Sequence, residues 1–432
     1  MRWLRVSRGV FLVVCSLAFL GTSISADWPH WRGENRNGVI AGDSGYEEGK
    51  EWLPIKADWS FEAGEGSTSP LVVGDQVFVM GWKDSAEWLH ALDLATGKKK
   101  WGQSYPAPKH GRFAAGDQRR YGGTTATPEF DPTTGLLFTL GCDGALRAWD
   151  PSNSGTLIWQ KNLYDEYAVE QRPKIGGGLR DYGYTSSPLI VENQLIVEVG
   201  AKSGTLIAFD PKTGKELWTS EYNRPAGHTG GPVPITIDEV PCVACLALYD
   251  LIVVRVDKGN EGKTLATHAW ESDWANNILT PAVLGNEVLI SSYHTHRAIR
   301  KVRVAKGKAE KVWEELFASH VGSPVVAGGK IYFAGRRLYC LDWDTGEMEW
   351  EGGMFGDGAS LVYTADDRLL AYGGDCSLVL VDGFPNSPED YRELSKISGA
   401  TSGGPGDAWC HVTVAGDWVL CKNRMGQVTA RR

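Results

Sequence analysis

The sequence predicts an all-β fold built from repeated four-stranded antiparallel sheets, and three observations carry that prediction. The 432 residues include 53 Gly and 18 Trp against 12 Phe, and Gly lies well above its usual share of about 7%. A pattern that ends in Trp recurs along the chain, and a small residue followed by Pro recurs in phase with it. Tight turns and large apolar anchors repeated in this way are typical of β structure.

The first pattern reads Ala-x-Asp-x-x-Thr-Gly-x-x-x-Trp. It occurs without gaps in Ala91–Trp101, Ala208–Trp218 and Cys340–Trp350, and with one inserted residue in Ala148–Trp159. Degenerate copies end at Trp270 and Trp313. The pattern predicts a strand that ends at Asp, a turn made by Asp and Thr-Gly, and a next strand that presents Trp.

The second pattern opens an apolar run. It occurs at Ser69-Pro70, Thr127-Pro128, Ser187-Pro188, Gly231-Pro232, Thr280-Pro281 and Ser323-Pro324, and Ser360-Leu361 and Cys410-His411 hold the equivalent places later in the chain. Each run is followed by a short turn of Gly, Asp, Asn or Glu and by a second apolar run, which predicts a hairpin. The repeated unit therefore has four strands.

Repeats of about 40–50 residues with four strands each predict a β-propeller. Units that begin near 68, 125, 185, 229, 279, 321, 358 and 408 predict eight blades, with seven as the alternative. The last unit has three predicted strands before residue 432, and Ala57–Phe61 is a candidate fourth strand. Pairing this N-terminal strand with the last blade would close the ring and remove the open sheet edges.

The N-terminus predicts export. Arg2, Arg5 and Arg8 precede the apolar run Val10–Gly21 and small residues, so residues 1–26 read as a secretory signal peptide; an uncleaved membrane anchor is the alternative. No other long apolar stretch follows, so we expect no transmembrane span after cleavage, a lead-in segment over 27–56, and the propeller over 57–432. We expect a monomer located in the periplasm or cell envelope.

The net charge narrows the classes of function that the protein could have. The net charge is −9, and because the first 26 residues hold three Arg and no acid, it falls to about −12 without them. This argues against nucleic-acid binding, which needs clustered Lys and Arg.

Removing Cys15 leaves an odd number of cysteines, so at least one thiol is free or joined to another chain. Cys242 and Cys245 have the spacing of a redox motif, but they fall in a β run and are expected to be buried strand residues.

The Trp-ended pattern resembles the tryptophan-docking repeat of the pyrroloquinoline-quinone (PQQ) propeller family, and the resemblance covers about residues 57 to 432. Asp27–Gly33 looks like the lead-in found before many bacterial propellers of this type. The resemblance implies that Trp side chains pack blade against blade. The positions that match are Trp59, Trp101, Trp159, Trp218, Trp270, Trp313 and Trp350.

The family contains quinoprotein dehydrogenases, which hold PQQ and calcium, and non-enzymatic binding propellers, including the lipoprotein subunit of the outer-membrane β-barrel assembly machine. This chain lacks the adjacent Cys-Cys pair of many of the dehydrogenases, and their calcium ligands cannot be placed on it. We therefore expect a non-enzymatic binding scaffold without cofactor, whose partner is an envelope protein or a polar ligand. The alternatives are a PQQ- and calcium-dependent dehydrogenase of alcohols or sugars, and a propeller that binds an envelope glycan.

A binding site is expected where the outer strand of one blade connects to the inner strand of the next. These connections are rich in polar and aromatic residues, which suit a polar ligand, a peptide or a quinone carboxylate; ordinary solvated loops are the alternative. The candidates are Arg119, Arg120, Tyr121, Asp181, Tyr182, Tyr184, His228, Trp274, Asn276, Asn277, His320, Asp357 and Trp409. His294 and His296 could form a metal pair, but no third ligand is identifiable and a hairpin end is the expected explanation.

Overall fold

The computed structural model describes residues 27–108, 122–169, 183–272 and 276–432, and nearly all of its elements are β-strands. In these ranges the helical elements are a 3-10 turn, Pro151–Asn153, and α1, Leu163–Tyr167. None of the described helices is long and apolar enough to cross a membrane. The all-β prediction is confirmed.

The strands follow one another in groups of four, which we call units 1 to 8. After β1 (Trp59–Glu62), unit 1 holds β2 (Leu71–Val73), β3 (Gln76–Lys83), β4 (Ala86–Asp93) and β5 (Lys99–Pro106). Unit 2 holds β6 (Glu129–Asp131), β7 (Leu136–Leu140), β8 (Ala145–Asp150) and β9 (Thr156–Asn162). Unit 3 holds β10 (Leu189–Val191), β11 (Gln194–Ala201), β12 (Gly204–Phe209) and β13 (Glu216–Thr219).

The middle of the chain adds two short strands between units. β14 (His228–Thr229) precedes unit 4, which holds β15 (Val233–Ile237), β16 (Val240–Leu246), β17 (Asp250–Arg255) and β18 (Thr264–Ala269). β19 (Asn276–Asn277) pairs in parallel with β14 and precedes unit 5, which holds β20 (Ala282–Leu284), β21 (Glu287–Ser292), β22 (Ala298–Ala305) and β23 (Lys308–Glu315).

The remaining strands complete units 6 to 8. Unit 6 holds β24 (Val325–Ala327), β25 (Lys330–Ala334), β26 (Leu338–Asp342) and β27 (Met348–Gly352). Unit 7 holds β28 (Ala359–Tyr363), β29 (Arg368–Gly373), β30 (Ser377–Asp382) and β31 (Glu393–Ile397). Unit 8 holds β32 (Thr413–Ala415), β33 (Trp418–Lys422) and β34 (Gln427–Arg431), and its fourth strand is β1.

Each unit is an antiparallel meander. Six units form separate four-stranded sheets, and units 6 and 7 share an eight-stranded sheet through the single pair Ala334 and Ala359. First strands contact each other in five pairs of neighbouring units, as expected of strands that surround the centre of a ring. The pairs are β6 and β10, β15 and β20, β20 and β24, β24 and β28, and β32 and β2. The count of blades stays our interpretation of these sheets.

The N-terminal strand pairs with the last strand of the chain, as the sequence predicts. Trp59 lies opposite Ala430 and Glu62 opposite Gln427 in the antiparallel register of β1 and β34. Unit 8 is therefore built from both ends of the described chain, and β1 covers the edge that β34 would otherwise leave unpaired.

The Asp and Thr-Gly of the repeat form one hydrogen-bonded turn. Asp93 Oδ1 accepts from the backbone N–H of Thr96 at 2.9 Å and from its hydroxyl at 2.6 Å, and the Gly97 N–H donates to the Asp93 carbonyl at 2.8 Å. The same bonds form in the copies that contain Asp210, Thr213 and Gly214, and Asp342, Thr345 and Gly346. Gly97 has φ +66°, which a residue with a side chain adopts at a cost.

The glycine of this turn faces a Trp of the preceding unit. A β-carbon on Gly97 would lie 2.6 Å from the ring of Trp59. The same relation joins Gly155 with Trp101, Gly214 with Trp159, Gly262 with Trp218, and Gly346 with Trp313. Trp270 and Trp350 instead pack on His296 and on Tyr391.

The indole N–H adds a second link at three of these contacts. Trp59, Trp159 and Trp313 donate to the carbonyls of Leu94, Pro211 and Trp343, which follow the Asp of the next unit. Trp101 faces the copy with the inserted residue, and its buried indole nitrogen has no hydrogen-bond partner in the described part of the chain. The insertion thus keeps the ring contact and removes the hydrogen bond.

The hydroxyl before each Pro connects neighbouring first strands. The N–H of Ser69 donates to Thr127 Oγ1, and the N–H of Thr127 donates to Ser187 Oγ, both at 3.0 Å. Thr280 N–H donates in the same way to Ser323 Oγ. A small hydroxyl residue at this point therefore satisfies a buried N–H of the adjacent unit.

The first part of the lead-in, residues 27–38, lies at the centre of the ring. Trp28 pairs with Val72 of unit 1, and Trp31 Nε1 donates to Thr280 Oγ1 of unit 5 at 2.9 Å. The guanidinium of Arg32 is buried and donates to the Pro324 carbonyl of unit 6. Both Trp rings contact the ring of His411 in unit 8. Because first strands surround the centre, these contacts place this part of the lead-in there.

A buried carboxylate fixes the lead-in to units 2 and 3. Glu129 Oε1 accepts from Arg36 and from the Ile190 N–H at 3.0 Å, and it lies 3.1 Å from His30 Nδ1. Burial acts to raise the pKa of Glu129, but the charges of Arg36 and His30 outweigh it and lower that pKa. Glu129 is therefore ionised at neutral pH.

The seven cysteines in the described residues are buried and unpaired. Cys242 and Cys245 lie in β16 and pack into different apolar clusters, as residues three apart on a strand should. Burial raises the pKa of both thiols, so neither has the thiolate character of a redox cysteine.

Candidate functional site

One end of the ring carries the candidate site. In a meander of four strands, the turn between the second and third strands and the connection to the next unit lie at the same end. We call this end the funnel face. Six of the predicted site residues lie outside the described residues: Arg119, Arg120, Tyr121, Asp181, Tyr182 and Trp274.

Two predicted site residues are buried in the fold. The Tyr184 side chain is fully buried, and its hydroxyl donates to the Val199 carbonyl at 3.3 Å. The Asn277 amide is also buried and donates to the carbonyls of Ala247 at 2.7 Å and Leu248 at 3.2 Å. Both side chains position backbone, and we no longer place them in a binding site.

For two other predicted site residues, the structure describes the position of the backbone. His228 lies in β14 and Asn276 in β19, which pair in parallel and join the connections before and after unit 4. The sequence predicted neither strand.

The half-buried imidazole of His320 stands in a cluster of polar rings. Its ring centroid is 3.3 Å from that of Tyr293 and 6.1 Å from that of His294. Burial has the largest effect and lowers the pKa of His320. The charge of Asp357 raises this pKa, while His294 and Arg297 lower it. His320 is therefore neutral at pH 7 and can donate or accept one hydrogen bond.

His296 does not join this cluster. It stacks on Trp270 with centroids 3.9 Å apart, and its Nε2 lies 2.9 Å from the Glu271 carbonyl. Across residues 27–108, 122–169, 183–272 and 276–432, no three His, Cys, Asp or Glu side chains form a group that could hold a metal ion. The two histidines of the His-Thr-His segment thus serve different contacts.

Trp409 belongs to a second polar cluster. The Arg424 guanidinium lies 5.6 Å from the Trp409 ring and forms an ion pair of 2.8 Å with Asp407. The other Asp407 oxygen accepts from the Gly404 N–H at 2.9 Å. Both charges of this pair are therefore already matched.

Next to this cluster lies a buried lysine that the sequence analysis missed. Lys422 is fully buried; its Nζ donates to the carbonyl of Gly66 and lies 4.0 Å from Cys410 Sγ. Burial lowers the pKa of Lys422. The residue ends β33 and binds unit 8 to the connection before unit 1. Nothing in its local sequence distinguishes it from a solvated lysine at a strand end.

Exposed apolar side chains on the funnel face were also missed. The exposed fraction is 81% for Leu316, 61% for Met354 and 53% for Met425. Leu316 and Met354 lie in connections between units, and Met425 lies in the turn before β34. Nothing in their local sequence distinguishes them from apolar residues that folding buries.

Comparison with protein families matches residues 85–352 to the family described as outer membrane protein assembly factor BamB. The quinoprotein ethanol dehydrogenase of Pseudomonas aeruginosa is 28% identical over 199 residues, which are 42% of this chain and 29% of the dehydrogenase. The chain thus spans less than a third of that curated relative.

Two solved structures show the same fold. BamB from Moraxella catarrhalis has a TM-score of 0.60 at 14% identity, over 88% of this chain and 99% of BamB. The quinohemoprotein alcohol dehydrogenase ADHIIG from Pseudomonas putida HK5 has a TM-score of 0.61 at 12% identity, over 94% of this chain and 80% of the enzyme. Identities this low establish the propeller fold alone.

Proposed function

The chain belongs to the family of the outer membrane protein assembly factor BamB, and we propose that it is an exported, non-enzymatic propeller that binds another protein of the cell envelope. The observation that carries this proposal is the exposure of Leu316, Met354 and Met425 on the funnel face. Large apolar side chains exposed on one face of a folded protein support a site of protein interaction there.

The centre of the ring supports a scaffold role. The lead-in fills it with Trp28, Trp31 and Arg32, which contact units 5, 6 and 8. Side chains of the protein itself thus hold the units together, and the outer funnel face can present fixed loops to a partner.

A PQQ-dependent dehydrogenase is the second candidate, because the match to the quinoprotein ethanol dehydrogenase favours it. The described residues do not fit its calcium ion. Asp407 is already bonded to Arg424 and to the Gly404 N–H, and Asp357 faces His320. Calcium prefers six to eight oxygen ligands, often with several carboxylates, and no three His, Cys, Asp or Glu side chains come together in the described part of the chain.

One experiment separates the two candidates. Purified protein is titrated with PQQ and calcium, and oxidation of alcohols and sugars is followed with an artificial electron acceptor. We expect neither binding nor turnover, and capture of a protein from envelope extracts of the source organism by the immobilised chain. Turnover that depends on PQQ would overturn the scaffold proposal, as would failure to retain any envelope protein.

A further inference from the structure

We propose that Leu316, Met354, Arg336 and Arg337 form a docking surface for an extended segment of a partner protein in which apolar side chains are flanked by carboxylates. We call these four residues the Leu316 surface. The proposal rests on the proposed function and adds to it the place and the chemistry of binding.

Three loops hold the Leu316 surface together. Phe317, next to Leu316, packs on Tyr339 with ring centroids 5.2 Å apart. A β-carbon on Gly335 would lie 2.5 Å from the Ala318 carbonyl, so the turn of unit 6 is in close contact with the connection before it. The Phe355 N–H donates to the Arg336 carbonyl at 2.9 Å, which fixes the connection after unit 6 to the same turn.

The apolar part of the surface lies on a rigid support. Phe317 also lies 6.4 Å from Phe333, and Phe355 is 3% exposed and belongs to the apolar cluster of units 6 and 7. Leu316 and Met354 are thus exposed while the residues that follow them are anchored. Met adapts its shape to irregular partners, so Met354 suits contact with a side chain of another protein.

The charge of the surface sets the chemistry of the partner. The whole chain is acidic, yet Arg336 and Arg337 stand side by side and exposed between the two apolar residues. Arg337 forms an exposed ion pair of 3.2 Å with Glu351, and Arg336 has no salt bridge among the described residues. Arg at an interface binds carboxylates through two parallel hydrogen bonds, so a segment with Asp or Glu beside its apolar residues is complementary.

The probes are two fluorescein-labelled peptides of equal length. Both contain a Phe-Leu-Phe core; Asp residues flank it in one peptide and Lys residues in the other. Fluorescence anisotropy with the purified protein measures both affinities at low and at physiological salt. We expect the acidic peptide to bind at least tenfold more tightly than the basic one, and salt to weaken its binding.

The variants are matched in charge. The double variant Arg336→Glu and Arg337→Glu should lower affinity for the acidic peptide at least tenfold, and Leu316→Ser should lower it severalfold. The control variant carries Lys212→Glu and Lys215→Glu, which change the net charge by the same amount. Both residues lie in an exposed turn of unit 3 at the end away from the funnel face, so this variant should bind the acidic peptide as tightly as the wild type does. Equal thermal unfolding of all variants checks that the fold is intact.

Equal affinity for the two peptides, or equal binding by the two double variants, would overturn the proposal. Binding of phosphatidylglycerol vesicles that the Arg336→Glu and Arg337→Glu variant loses, with no peptide binding, would assign the surface to a membrane instead. If the variant still captures the same envelope protein as the wild type, the Leu316 surface is wrong while the scaffold function stands.

Discussion

The hydroxyl of Ser69 accepts a buried hydrogen bond of 2.7 Å from the backbone N–H of His411, which lies 342 positions later in the chain. Ser69 is the small residue before the first Pro of the repeat and stands two residues before the first strand of unit 1. His411 stands two residues before the first strand of unit 8, which is one position later than the repeated pattern predicts. The same type of bond that joins units 1 and 2 therefore joins unit 8 to unit 1.

Ser69→Ala should weaken this closure. It removes the acceptor of the buried His411 N–H, and leaving a buried donor without a partner costs about 1–3 kcal/mol. Urea unfolding measures the loss. Ser60→Ala, at an exposed position of β1, is the matched control and should change stability by less than about 0.5 kcal/mol. Equal effects of the two changes would contradict the role of Ser69.

Gly97→Ala should destabilise the protein more than Gly74→Ala. Both glycines have positive φ, +66° and +59°, so both variants bear the cost of a left-handed residue, about 1–2 kcal/mol. Only the new methyl group at Gly97 meets the Trp59 ring, whereas nothing lies within 4 Å of one at Gly74. Overpacking should add about 1–3 kcal/mol at Gly97, measured as the difference in the free energy of unfolding.

The inserted residue in unit 2 predicts that Trp159→Phe and Trp101→Phe lower the free energy of unfolding by different amounts. Trp159 donates to the Pro211 carbonyl at 2.8 Å, while the indole nitrogen of Trp101 has no partner among the described residues. Both changes remove similar ring area, so Trp159→Phe should cost about 1 kcal/mol more than Trp101→Phe. Denaturant unfolding of the two variants tests this, and an equal cost would show that the hydrogen bond adds no stability.

The Glu129 site predicts an acid-sensitive lead-in. Because the folded pKa of Glu129 lies below its ordinary value of 4.5, the site adds stability above about pH 4.5, and this is lost as the pH falls through the folded pKa. Glu129→Gln should cost about 3 kcal/mol at pH 7, since it leaves Arg36 buried without its charge partner.

The test is the free energy of unfolding between pH 7 and pH 3. The difference between wild type and Glu129→Gln should shrink below pH 4.5. Glu47→Gln, which removes an exposed pair with Lys50, is the control and should have little effect at any pH. A difference that stays constant with pH would show that ionisation of Glu129 does not hold the lead-in.

The fold was predictable because its contacts repeat. In four of the five contacts between a Trp and a Gly, that Gly stands four residues before the Trp of its own unit, as Gly97 and Trp101 do. The position of the lead-in was not predictable, because Arg32 and Pro324 meet once and are 292 positions apart. Single long-range contacts leave no periodic signal.

The candidate site was predicted only in outline. A binding site in the connections between units stays a prediction, and His320, Asp357 and Trp409 lie in those connections on the funnel face. Tyr184 and Asn277 were misjudged, because a polar residue in a loop can turn inward to bond the backbone. Leu316 was overlooked, because an apolar residue in a single sequence does not show whether folding will bury it.

The pairing of β1 with β34 also constrains how the molecule reaches its native state. Synthesis runs from the N-terminus, so Trp59 emerges hundreds of residues before its strand partner Ala430. Such a large sequence separation raises the contact order and slows folding. The first strand must wait without its partner until residues 427–431 have been synthesised.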